Sequence, residues 1–346
     1  KSGEPVSVAL IEETERVLRS TRYLHEVRIR PLAVHDDNTV DIEVLTRDSW
    51  TLDPGLSVSR SGGASSSGIA LREFNLLGTG IGLGIGHKKT VDRSSNEFEL
   101  VNDRAFGGWT SIAVNHAKNS DGKRNSASVA HPFYALDTPW AASASWLDDD
   151  RIESIYRAGV IDSQYRHQQR VSEVWGGLSS GRVNGWVRRT SIGVTRQQDR
   201  YALAPGLVAP PELPADETLV SPFVRLRLIE DDFRTLLNRN QVQRPETFAL
   251  GLDAQLQLGR ASTALGSTRN AWLYGASVSR GFEPGGDWLL VASSALSGQY
   301  TDGSVRRQQF GARLQTYRPQ GPHWLFYASA TLDRLTHPGS TDELLI

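Results

Sequence analysis

The sequence predicts a mainly β protein: an antiparallel transmembrane β-barrel with about fifteen strands present, preceded by part of a small α/β module. Three observations carry that prediction. First, between Ile81 and Gly86 the chain alternates strictly, with Ile81, Leu83 and Ile85 on one side and Gly82, Gly84 and Gly86 on the other. A period of two belongs to a strand, not a helix. Second, from Trp50 onward about fifteen short alternating runs follow one another, separated by turn residues. Third, no apolar run approaches the ~20 residues a membrane helix needs, so only the β mode of membrane crossing is open.

The first residues differ in kind. From Ser7 to Leu24, Val8, Ile11, Val17, Leu18 and Leu24 recur at helical spacing among Glu12, Glu13, Glu15, Arg16 and Arg19. Acidic residues come first and basic ones last, matching the helix dipole. Val27 and Ile29 then alternate with Arg28 and Arg30, Asp36-Asp37-Asn38 is a turn, and Val40, Ile42 and Val44 alternate with Asp41 and Glu43. Helix, strand, turn, strand reads as the back half of a small module over 1–49, too small to bury a core alone.

Residues 50–346 read as the barrel. The runs fall near 51–60, 66–75, 79–89, 95–102, 108–117, 123–132, 138–148, 169–180, 185–199, 218–230, 247–259, 270–282, 287–299, 304–317 and 323–334. In the run 247–259, Phe248, Leu250, Leu252, Ala254, Leu256 and Leu258 form one face, against Asp253, Gln255 and Gln257. Val224, Leu226 and Leu228 oppose Arg225 and Arg227, which suits a wet lumen and would be costly in a dry interior. Short turns such as Asn75–Thr79, Ala105–Gly108 and Leu136–Pro139 alternate with polar connections such as Thr90–Ser94, Asn119–Lys123 and Ala202–Glu217. Trp109, Phe133, Tyr134, Trp140, Trp186, Trp288 and Trp324 sit near run ends, where an aromatic girdle lies. A soluble sandwich also ends strands with aromatics, but many polar residues on the would-be inner face favour the barrel.

Composition excludes several chemistries. The formal charge of -1 leaves no basic footprint for nucleic acid. With no cysteine there are neither disulfides nor thiolate sites, which fits a chain crossing an oxidising periplasm. Eight scattered histidines contain no H-E-x-x-H pattern, so no metal site, cofactor or catalytic residue is assigned. The glycines at 78–86 fall on alternate residues and cannot be a dinucleotide fingerprint. A nucleophile elbow fails because Ala64 stands where its first glycine would be. Glu230-Asp231-Asp232 and Asp148-Asp149-Asp150 read as solvated strand ends and not as cation sites, since consecutive strand residues face opposite ways. The sequence holds no methionine, begins at Lys1 and ends in an apolar run, so a fragment is expected, truncated before the closing strands of its barrel.

Specific stretches resemble the BamA/TamA-like outer-membrane superfamily, the bacterial surface antigen family. E-R-V-L-R-S-T-R-Y-L-H-E-V-R-I-R with N-T-V-D-I-E-V-L-T-R-D is similar to the last helix and strand pair of a POTRA module. T-L-D-P-G-L-S-V-S-R-S-G-G resembles the first barrel strand. F-N-L-L-G-T-G, with Asn75, Leu77, Gly78, Thr79 and Gly80, resembles the turn between the second and third strands, and N-D-R-A-F-G-G and H-P-F-Y-A-L-D-T the next periplasmic turns.

The resemblance implies a multi-pass barrel in a Gram-negative outer membrane, with its N-terminal part in the periplasm. Partners would be outer-membrane lipid, a client barrel or secreted protein, and periplasmic proteins meeting the POTRA module. It implies no enzymatic role. The expected work is insertion of outer-membrane proteins or protein translocation. Anchoring or exporting an upstream enzyme such as a patatin-like lipase is an alternative, and a passive porin a second. Leu52, Pro54, Gly55, Leu56 and Val58 form the candidate lateral-gate strand, in which Pro54 lacks a backbone donor and Gly55 weakens pairing. Arg280-Gly281-Phe282 superficially fits the family's lumen-loop motif, but strand counting puts it at the short-turn end, beside Glu283 to Gly286.

Overall fold

Nineteen strands and one α-helix make up the computed structural model, which describes residues 5–61, 64–241 and 243–337. Gly62 and Gly63 of the first-strand stretch, and the residues beyond His337 where the expected truncation would fall, lie outside the described residues.

Helix α1 (Val8–Arg19) begins where the Ser7 hydroxyl accepts the Leu10 N–H at 3.2 Å, satisfying one of the free donors of the first turn. Its apolar stripe turns Val17 toward strand β1 (Leu24–Val34), where Val27 is also buried. Burial of this kind contributes about 1.5–3 kcal/mol per side chain. The Glu15 carboxylate accepts the Ile29 N–H at 2.7 Å and Arg19 donates to the Val27 carbonyl at 3.0 Å. Strand β1 pairs antiparallel with β2 (Val40–Asp48) through a turn in which Asn38 takes φ 62°. The Asp37 carboxylate there accepts both the Thr39 hydroxyl and its N–H, and these bonds hold its carboxyl below the usual range.

The remaining chain forms one antiparallel sheet of fifteen strands, nearly all joined to the next in sequence. In order these are β3 (Leu52–Ser61), β4 (Ala64–Glu73), β5 (Ile81–Lys89), β6 (Ser94–Ala105), β7 (Thr110–Asn119), β8 (Lys123–His131), β9 (Trp140–Arg157), β10 (Val160–Val183), β11 (Trp186–Leu203) and β12 (Glu217–Glu230). A separate hairpin, β13 (Phe233–Leu237) with β14 (Pro245–Ala249), follows. The sheet resumes with β15 (Asp253–Ala261), β16 (Ala271–Gly285), β17 (Trp288–Thr301), β18 (Ser304–Pro319) and β19 (Leu325–Thr336). Its two faces differ as the alternation dictates. Val174, Leu178, Ile192, Val224, Leu226, Leu256, Leu258 and Leu314 stand exposed on the apolar face. The polar face carries Glu173, Arg225, Arg227, Asp253 and Gln257.

Several expectations are corrected. The sheet does not close among the described residues: β3 pairs only with β4 and β19 only with β18, so no sealed barrel is seen. The runs 138–148 and 169–180 are parts of much longer strands, which continue to a turn at Ala158-Gly159. The intervening charges were legible only as polar chain, and they form strand because they pair with one another across the ladder. Asp148, Asp149 and Asp150 are therefore not solvated strand ends; they lie inside β9, bonded to Arg170, Arg151 and Arg166. The run 247–259 is not one strand either. It breaks at Gly251, where a Cβ would come within 2.5 Å of the Glu230 carbonyl oxygen. Glu230, expected in solvent, accepts the Leu252 N–H at 2.9 Å across that break. The largest insertion, 231–252, lies at the short-turn end, whereas 90–93 and 120–122 are tight turns.

Candidate functional site

One cluster of polar contacts lies at the end of the sheet that carries the turns 74–80, 106–109, 132–139 and 184–185. There α1 is docked. Glu13 is 7% exposed, and its carboxylate accepts the Leu136 N–H at 2.7 Å while Arg16 donates to it at 2.5 and 3.0 Å. Arg182, near the end of β10, lies 3.9 Å from Glu13 and 3.0 Å from Asp231. Burial pushes the Asp231 carboxyl up, against the pull of the Arg182 guanidinium beside it. Underneath, Leu136, Val187 and Ile229 form a small core against which Phe233 packs, and the Arg16 guanidinium lies 5.0 Å over the Phe233 ring. On the other flank Arg22 lies 4.8 Å over Phe74.

The β13–β14 hairpin ties this module to the far side of the sheet. Arg244 donates to the carbonyls of Arg19, at the end of α1, of Thr21 in the link and of Leu24 at the start of β1. Asn240 accepts the Tyr317 hydroxyl at 3.0 Å. Leu236, Phe248 and Leu250 pack on Leu289, Val291, Tyr317 and Leu325, so the hairpin lies over the polar face of β16–β19. Closeness there needs Gly281: a Cβ on it would lie 2.6 Å from Leu250 Cδ2 and 2.9 Å from Leu250 Cα.

Each sequence-predicted residue has a place. Leu52, Pro54, Gly55, Leu56 and Val58 lie in the edge strand β3, opposite Glu73, Leu71, Ala70, Ile69 and Ser67 of β4. Leu56 and Val58 are 79% and 77% exposed. The Asn75–Gly80 turn is held by the Asn75 carbonyl accepting the Gly78 N–H and its side chain accepting the Gly80 N–H at 2.7 Å. Leu77, Gly78 and Gly80 all take positive φ, which is why two of the three are glycine. Arg280, Gly281 and Phe282 are strand residues of β16, opposite Ala292, Val291 and Leu290, and none of them is in a loop. The edge strand adjoins the turn, with Leu52 opposite Glu73, but the Arg280 motif is not brought to them. The docked end unites Glu13, Arg182 and Arg244, which sequence reasoning left without a role, with Asp231, expected in solvent. A helical Glu gives no sign of a remote partner, so no local signal could have found them.

Higher on the polar face, Arg227 meets Asp253 at 2.8 and 2.6 Å, and Arg225 meets Gln257 at 2.7 Å and Glu173 at 3.2 Å. At the far end His167 sits between Asp199 at 3.0 Å and Glu153 at 3.2 Å. Among the described residues no group of His, Asp or Glu is arranged to hold a metal ion, and no helix is long and apolar enough to cross a membrane.

Fold and site together define a class: a fifteen-stranded antiparallel sheet with one apolar and one polar face, carrying a helix–hairpin module docked at one end. No protein-family model matches the chain, and no curated protein matches it. Solved structures similar to it include BamA from Haemophilus ducreyi lacking POTRA domains 1–3, at 12% identity and TM-score 0.40, covering 96% of this chain and 66% of that one. CdiB from Acinetobacter baumannii is another, at 11% identity and TM-score 0.46, covering 96% of this chain and 58% of that one. The chain thus spans less than two thirds of the length of either.

Proposed function

We propose that this chain is an integral outer-membrane protein of the POTRA–barrel type that inserts other barrel proteins or moves a polypeptide across the membrane. The observation that carries the reading is the pairing of a two-faced sheet with a docked helix–strand–strand module. An exposed apolar face on strands and a charged, hydrogen-bonded opposite face suit lipid outside and water inside. The docked module lies at the short-turn end, where the resemblance puts the periplasm. The hairpin over the polar face argues for a controlled passage and against a passive pore.

The candidate gate is β3. An edge strand offers unpaired N–H and C=O groups to which a client strand can add, and Pro54 and Gly55 make it a weak partner. The test uses the full-length protein in vesicles and a small denatured barrel protein as client. A cysteine at Leu56 is joined by a disulfide to one on the strand facing it across the seam. The reduced form is expected to speed client folding and the oxidised form to lose that effect. Equal rates in both forms would remove the gate, and no acceleration in either would remove the insertase reading.

A further inference from the structure

We propose that the far-end rim of the apolar face, on β10 and β11, binds the phosphate groups of an anionic membrane lipid. This rests on the membrane reading above. Along β10 the apolar face runs Leu178, Val174, then Ser172 and Arg170. On β11 it runs Ile192, Val194, then Arg196 and Arg200. The register puts Val174 opposite Val194, Ser172 opposite Arg196 and Gln168 opposite Arg200, so apolar chain gives way to cation at one height on both strands. Leu178, Val174, Ile192 and Val194 are exposed below that line.

Charge is sorted between the two faces above the line. The carboxylates of Asp149, Glu153 and Asp199 turn to the polar side, where Arg151 and His167 take them up. Carboxylates on the apolar side are also occupied: Asp148 by Arg170 at 3.0 Å, Asp150 by Arg166 at 2.7 Å, and Asp216, next in register to Arg200, by the Tyr201 N–H at 2.8 Å. Arg196 and Arg200 are exposed and have no carboxylate partner among the described residues. A chain of net charge -1 thus carries a local surplus of cations immediately above an exposed apolar band. Apolar surface recognises acyl chains, and a guanidinium fork matches a phosphate in two hydrogen bonds. A lipid with a phosphorylated headgroup meets both demands; a soluble phosphate meets one.

The experiment measures lipid retained by the purified full-length protein in detergent, using diphosphoryl lipid A, the same lipid stripped of phosphate, and inorganic phosphate as competitor. Wild type is expected to retain the phosphorylated lipid, with Arg196→Gln/Arg200→Gln weakening it by about tenfold or more, from the loss of two basic contacts near an anionic headgroup. Arg124→Gln, on the polar face opposite Asp149, is the control and should change nothing. Equal retention of the stripped lipid, an unaffected double variant, or displacement by equimolar inorganic phosphate would each overturn the proposal. Flotation of the same protein with vesicles separates the two readings: protein that floats without lipid preference sinks only this one, and protein that does not float sinks the membrane assignment.

Discussion

Glu13 shows how much one carboxylate can carry. On the sequence it is one of three glutamates along an amphipathic helix, indistinguishable from Glu12 and Glu15. In the fold it caps a backbone N–H more than a hundred residues away and neutralises Arg16. Glu13→Ala leaves the Leu136 N–H without its partner, and a buried unsatisfied donor costs about 1–3 kcal/mol. The expected outcome is faster tryptic cleavage at Arg22 in the mutant, with the strands of the sheet still protected. Glu13→Gln keeps an acceptor for Leu136 and should fall between the two. Unchanged cleavage in the Ala variant would mean that the helix is held by its apolar contacts alone.

At the scale of elements, the β13–β14 hairpin and the long β9–β11 arms are what the alternation did not separate. Period two continues through Leu250 and Leu252, so the break between β14 and β15 is invisible in the pattern; only the close approach of the Glu230 carbonyl to Gly251 reveals it. The arms were hidden for a different reason. Residues 149–168 are charged on both faces, and strand there depends on partners across the ladder, not on any apolar stripe. Gly281→Leu tests the hairpin's seat, since its Cβ would meet not only the movable Leu250 Cδ2 at 2.6 Å but also backbone, Leu250 Cα at 2.9 Å and the Ala249 carbonyl oxygen at 3.0 Å. Overpacking of this kind costs about 1–3 kcal/mol. Faster amide exchange across 233–249, with β16 still protected, is the expected result. Exchange unchanged from wild type would show that the hairpin tolerates displacement from the sheet.

For the whole molecule, the decisive feature is a sheet with two free edges, β3 and β19, among the described residues. Inside a bilayer each unpaired backbone group costs several kcal/mol, so such edges persist only if they meet each other, another strand or water. The full-length protein is accordingly expected to stay in the membrane pellet after alkaline carbonate extraction and to migrate faster on a gel unheated than boiled. Release by carbonate would contradict the membrane assignment, and identical migration would contradict a closed barrel.

By itself the sequence determined the local and periodic features: the opening helix, its two following strands, the positions of nearly all strands of the sheet, and which residues share a face. These follow from backbone geometry, because a period of two or 3.6 is written in neighbouring residues. The Asn75–Gly80 turn belongs here too, since Gly78 and Gly80 announce positive φ. What only the tertiary structure decided are the long-range acts: Glu13 reaching Leu136, Arg244 closing the end of α1, the hairpin crossing to Tyr317, and the sorting of carboxylates from cations on the arms. Each depends on which distant strand happens to lie opposite, and a side chain's partner across a fold leaves no period in the chain that carries it.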